Sequence, residues 1–172
     1  MSHLAFSQTD FRFYKSIDDY VNNKFIPDYE IVPHTWRDSD FSDEAFKVKN
    51  DSGEEIKMKI TEFPGEFYSA SAGKLWRKYK KKSYIILVYG TYCYYVVPGF
   101  SNKPEYYSET ISGPVKKFSL GVLKKKLKEK GLLRQFKKDK PRREFKDNVN
   151  EYFNKEVKRN IKYFELLNET YK

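Results

Sequence analysis

Residues 55–90 read EIKMKITEFPGEFYSASAGKLWRKYKKKSYIILVYG, and how the middle of this stretch folds decides the architecture. Its two ends are strand-like. Glu55, Lys57 and Lys59 alternate with Ile56, Met58 and Ile60, the period of two that sends successive side chains to opposite faces of a strand. Ser83 to Tyr89, SYIILVY, is a continuous apolar run of strand length and fits a strand buried on both faces. Between them, Glu62 to Ala70 contains a Pro64-Gly65 turn. Residues 71–81 read as a helix capped by Ser71, with Leu75 and Tyr79 on one side and Lys74, Arg77, Lys78 and Lys81 around the remainder.

Upstream, Phe46 to Lys49 is a second strand, joined to Glu55–Thr61 by the turn residues Asp51-Ser52-Gly53. Tyr14 to Phe25 reads as a short helix with Ser16 as N-cap and Asp18 and Asp19 in its first turn, ended by Pro27. Tyr29 to Val32 is a short strand. Downstream, Gly90-Thr91 makes a tight connection to a strand over Tyr92 to Val97, which Pro98 and Gly99 close. Residues 99–118 look like an irregular loop. SLGVLKKKLKEKGLL then forms a helix with Leu120, Leu123 and Leu127 on its apolar side, ended near Gly131. From Glu144 to Tyr171, apolar residues recur at steps of three and four, giving a long amphipathic helix. This order places an α/β core in residues 1–98 and a loop with a basic, helical extension in residues 99–172.

The chain has 172 residues and a formal net charge of +10, very unevenly divided. Residues 1–66 hold 8 Lys/Arg and 14 Asp/Glu, whereas the rest hold 26 and 10. Lys116 to Arg143 alone carries 13 basic residues against Glu129 and Asp139. Such a density points to nucleic acid or another anionic surface, although charge runs also serve as solvated faces. An aromatic content of 18% argues for a folded chain despite the polar average. No run of about 20 apolar residues and no apolar leader is present, which points to a cytoplasmic protein without a membrane partner. Cys93 is the single cysteine and His3 and His34 the only histidines, so a metal would be held by carboxylates. Cys93, inside a strand, reads as a small buried hydrophobe, and no Gly-rich phosphate loop exists.

Glu55 and Lys57 share the polar face of their strand, and Asp43 can approach from the neighbouring one. Two carboxylates can hold a divalent cation through oxygen while an amine stabilises developing negative charge, the requirement of metal-assisted phosphodiester cleavage. The same alternation also describes the solvated face of any antiparallel hairpin.

A helix, a three-strand meander with an early Asp and Glu-x-Lys in its third strand, a basic helix and a buried apolar strand together resemble the PD-(D/E)XK nuclease superfamily. Residues 55–90 look most like archaeal Holliday junction resolvases and their viral relatives. The resemblance spans roughly residues 14–97 and implies a restriction-endonuclease-like mixed central sheet flanked by helices. It implies Asp43 and Glu55 as ligands of Mg2+ or Mn2+, Lys57 as the catalytic lysine, and Asp18 or Asp19 as an additional acid. The pattern is imperfectly met: no Pro precedes Asp43, and Asp40 or Asp51 competes for its role. The implied reaction is hydrolysis of branched or duplex DNA, with a homodimer matching a two-fold substrate. Lys74, Arg77 and Lys78, with Lys124, Lys125 and Lys126, would grip the backbone. Trp76 reads as core or rim in preference to a base-stacking platform. Two other readings share the basic surface: a nucleic-acid-binding protein without catalysis, and a viral or mobile-element inhibitor of a nucleic-acid-handling enzyme.

Overall fold

The computed structural model describes residues 12–27, 29–31, 45–70, 74–97, 104–142 and 149–169. It is a mixed α/β structure built mainly from antiparallel strands with helices. It divides into two compact units, Met1–Ile86 and Leu87–Lys172.

In the first unit, β1 (Phe13–Tyr14) leads into α1 (Ile17–Val21), which Ser16 caps by accepting the Asp19 N–H at 3.1 Å. The following strands are β2 (Tyr29–Ile31), β3 (Ala45–Asn50), β4 (Glu55–Lys59), β5 (Phe67–Ala70), β6 (Lys74–Tyr79) and β7 (Lys82–Val88). β2, β3 and β4 form one antiparallel sheet, and β1, β5, β6 and β7 pair in that order. The β3–β4 hairpin forms as its turn residues require. Gly53 adopts φ +79°, its N–H donates to the Asn50 carbonyl at 2.9 Å, and Glu54 N–H donates to Asn50 Oδ1 at 2.9 Å. A three-residue loop with glycine in the left-handed region is a favoured hairpin closure.

Residues 74–79 are a strand and not the helix that their sequence pattern predicts. Leu75 and Tyr79 are four apart, a spacing that satisfies a helix face and an alternating strand face equally well. Pairing on both sides decides the outcome. β6 bonds antiparallel to β5, with Tyr68 opposite Trp76, and to β7, with Tyr79 opposite Lys82 across a two-residue turn. Leu75, Trp76 and Arg77 are all buried, leaving no continuous polar face of the kind a surface helix needs. Trp76 stacks on Tyr68 at 5.8 Å, and Phe63 meets Phe13 and Tyr68 edge-on at 4.7 and 5.3 Å, so aromatic rings form the centre of this core.

The second unit begins within β7 and continues with β8 (Cys93–Val96), β9 (Glu105–Ser108) and β10 (Lys116–Lys117), an antiparallel meander. The segment expected to be irregular, 99–118, therefore contains two strands. Tyr106 and Tyr107 supply the β propensity, and the flanking Pro, Ser and Gly residues obscure it. Three helices follow: α2 (Leu120–Glu129), α3 (Leu133–Lys138) and α4 (Val149–Glu169). Leu123, Leu127, Phe136, Tyr163, Phe164 and Leu167 close one core with Val88, Tyr92, Tyr94 and Tyr107. Tyr94 stacks on Phe164 at 4.8 Å. Asn168 ties α4 to the turn at residues 89–92, accepting Tyr92 N–H at 2.7 Å and donating to the Tyr92 carbonyl at 2.9 Å. Among the described residues no helix is long and apolar enough to cross a membrane.

Candidate nucleic-acid interface

The basic stretch becomes a surface because of how α2 and α3 bury their apolar residues. Leu123 and Leu127, four apart, face the core, which turns Lys124, Lys125 and Lys128 outward. α2 ends in a Schellman motif: Gly131 adopts φ +72°, its N–H donates to the Lys128 carbonyl at 3.1 Å, and Leu132 N–H reaches the Leu127 carbonyl at 2.8 Å. After this three-residue turn, Phe136 is buried and Leu133 half-buried, while Arg134, Gln135, Lys137 and Lys138 are exposed. From Lys116 to Arg142 there are twelve basic residues against two acidic ones, and ten of the twelve are exposed. Among the described residues, the exposed cations of α2 and α3 have no ion-pair partner.

Lys126 is placed differently from Lys124 and Lys125. It is half-buried, with its ammonium 5.3 Å from the Tyr92 ring centre. Desolvation pulls its pKa down, but the bond to the Tyr92 hydroxyl and the charges of Tyr92, Glu109 and Glu129 outweigh this and shift it upward. It stays charged while packing against the core.

The three candidates on residues 74–78 separate in the same way. Lys74 is exposed at the start of β6. Arg77, read from sequence as a backbone contact, is 1% exposed and donates from Nε to Glu66 Oε1 at 2.7 Å. Its guanidinium is a structural group of the first unit, because β6 is paired on both edges and buried on both faces at residues 75–77. Lys78 is half-buried and donates to the Phe63 carbonyl at 2.6 Å; desolvation lowers its pKa, partly offset by the charge of Glu66. Neither presents a free cation at the surface.

Glu55 and Lys57 do share the exposed face of β4, with Met58 buried opposite. Lys47 lies across from Lys57 and Lys49 across from Glu55. Glu55 Oε2 is 3.6 Å from Lys47 Nζ, with both side chains about half exposed. Among the described residues the face is therefore four lysines, Lys47, Lys49, Lys57 and Lys59, around one carboxylate. By itself that single carboxylate does not make a divalent-cation site, and among the described residues no group of three or more His, Cys, Asp or Glu side chains converges as one. Asp43 and Asp40 lie outside the described residues. Asp51 sits exposed in the hairpin turn, and in α1 Asp18 is exposed and Asp19 accepts from the Ser16 hydroxyl at 2.9 Å.

Comparison with known proteins returned no match: no family model, no curated protein and no solved structure is significantly similar to this chain.

The residues that sequence reasoning missed are those of α3. Their signal, Leu133 and Phe136 three apart directly after a glycine stop, is present but short.

Proposed function

We propose that this protein binds nucleic acid through the basic face of α2 and α3, gripping the phosphate backbone without catalysis. The observation that carries this reading is the exposure of ten basic residues between Lys116 and Arg142, six of them on α2 and α3, helices that an aromatic core holds in place. Unpaired lysines on a fixed scaffold release condensed counterions when they meet phosphates, so affinity comes from salt-dependent backbone contacts. The four lysines on the β3–β4 face add a second basic surface of the same character. Titrating a labelled oligonucleotide by fluorescence anisotropy tests the reading. A Lys124→Glu/Lys128→Glu variant should bind at least about tenfold more weakly, with a shallower salt dependence, since two attractive contacts become repulsive. Unchanged affinity in that variant would remove α2 from the interface.

A second reading is favoured by one observation, the shared exposed face of Glu55 and Lys57: a metal-dependent DNA endonuclease of restriction-endonuclease-like fold, acting on branched or duplex DNA as a homodimer. It needs Asp43 to complete the acid pair. Incubating labelled duplex and four-way junctions with Mg2+ or with EDTA decides it. Metal-dependent cutting abolished by Glu55→Ala and by Lys57→Ala would establish the enzyme. Binding without cutting leaves the first reading in force.

A further inference from the structure

The arrangement of α2 and α3 narrows the polyanion. The two helices are joined by only Lys130, Gly131 and Leu132, and the turn is closed by two backbone hydrogen bonds at Gly131 and Leu132. A helix, a short glycine-containing turn and a second helix is the framework that lays its second helix against a duplex groove. α3 is also fixed at its far end. Asp139, which follows its last residue, accepts from Lys162 Nζ at 2.7 Å and from the Tyr163 hydroxyl at 2.9 Å, both on α4. From inside, Phe136 meets Tyr163 edge-on at 4.9 Å and lies under the Arg159 guanidinium at 4.3 Å. The short helix is thus held at its start, its middle and its end, and its outer face offers Arg134 and Gln135 near the turn with Lys137 and Lys138 behind them.

We propose that α2, the Gly131 turn and α3 form a helix-turn-helix that seats α3 in the major groove of double-stranded DNA. The proposal rests on the nucleic-acid reading above and names its substrate. A helix with its side chains is about 10–12 Å across, which fits a major groove about 12 Å wide, whereas the deep, narrow groove of an RNA duplex excludes side chains. Arginine matches guanine O6 and N7, and glutamine matches adenine N6 and N7, each in a bidentate pair. Arg134 and Gln135 therefore read base edges, while Lys124, Lys128, Lys137 and Lys138 meet phosphates.

The test uses the full chain in two steps. Anisotropy compares one sequence as duplex DNA, duplex RNA and single-stranded DNA at equal salt. Selection from a randomised DNA duplex pool then compares the wild type with Arg134→Ala/Gln135→Ala and with Lys124→Ala/Lys128→Ala, with circular dichroism confirming that each variant is folded. Duplex DNA should bind best, by roughly tenfold or more, and the wild type should enrich a short site. The Arg134→Ala/Gln135→Ala variant should lose that enrichment. The lysine variant should keep it, while binding every sequence more weakly and with a salt slope smaller by about 1.8. Equal or tighter binding to duplex RNA or single strands, or an enrichment profile unaltered by Arg134→Ala/Gln135→Ala, would overturn the helix-turn-helix and leave polyanion binding standing. Absence of salt-dependent binding to every nucleic acid would remove both.

Discussion

Replacing Glu66 should cost more stability than replacing its partner Arg77, because the two ends of this ion pair see different amounts of water. The Arg77 side chain is 1% exposed and the Glu66 side chain 36%. Glu66→Gln keeps an oxygen acceptor near Nε but removes the carboxylate charge beside a guanidinium that is shut off from water. Removing one partner of a fully buried ion pair costs about 3–5 kcal/mol; with one partner a third open to water, about 2 kcal/mol is expected. Arg77→Met removes the charge and keeps much of the stem volume, and the remaining Glu66 carboxylate can turn to solvent, so a loss of about 1 kcal/mol is expected. For a chain of this size that separates the melting temperatures of the two variants by about 2–4 °C, with Glu66→Gln the lower. Thermal unfolding followed by circular dichroism, with DNA affinity measured in parallel, is the assay. A larger loss in Arg77→Met would refute the reasoning. So would an unchanged melting temperature in that variant combined with a tenfold weaker grip on DNA, which would put Arg77 at the surface as a phosphate contact.

Other expectations follow from the backbone and from titrating groups. Lys80 holds φ +57° in the turn between β6 and β7, so Lys80→Gly should stabilise by up to about 1 kcal/mol, whereas in a helix over 71–81 it would destabilise by a similar amount; denaturant titration gives the sign. Gly131→Ala meets no atom within 4 Å yet forces alanine into the left-handed region, so equilibrium unfolding should show a loss of about 1–2 kcal/mol. Burial pushes the phenols of Tyr68, Tyr94 and Tyr163 up, Tyr163 to about 12 with help from Asp139. A raised folded pKa gives stability that is complete below the unfolded value near 10 and lost above it, so unfolding free energy should fall as pH rises beyond 10. Lys78, whose pKa is lowered, works in the opposite direction over the same approach, as a single group against three. Absorbance at 295 nm should show these tyrosines ionising only as the chain unfolds; titration of all tyrosines in the folded state would contradict this.

Much of the fold was legible in the sequence because local signals and tertiary pairing agreed. Ser16 caps α1, Asp51-Ser52-Gly53 turns the β3–β4 hairpin, the run before Tyr89 is β7, and Gly131 stops α2. The failure at residues 74–79 has a physical origin. Three of its side chains are cationic, and cations at i, i+3 and i+4 suggest a solvated helix, but Arg77 is buried against Glu66 and Lys78 bonds the Phe63 carbonyl. The cost of burying those charges is met by partners far away in sequence, which no local pattern announces. The same reason separates Lys126, packed on Tyr92, from Lys124 and Lys125 beside it. The alternation of Glu55 and Lys57 was read correctly as a shared face, yet their surroundings depend on strand register, which puts lysines opposite both. α3 was overlooked because six residues hold too few turns to show a period.

The measurement that tests the central claim most directly is the affinity of the full chain for a 20-base-pair duplex DNA of mixed sequence, followed from about 50 to 200 mM salt. With about six of the ten exposed cations meeting phosphates, the logarithm of the binding constant should fall linearly with the logarithm of salt concentration, with a slope near −5. No binding at the lowest salt, or a slope near zero, would contradict the claim that this surface exists to hold nucleic acid.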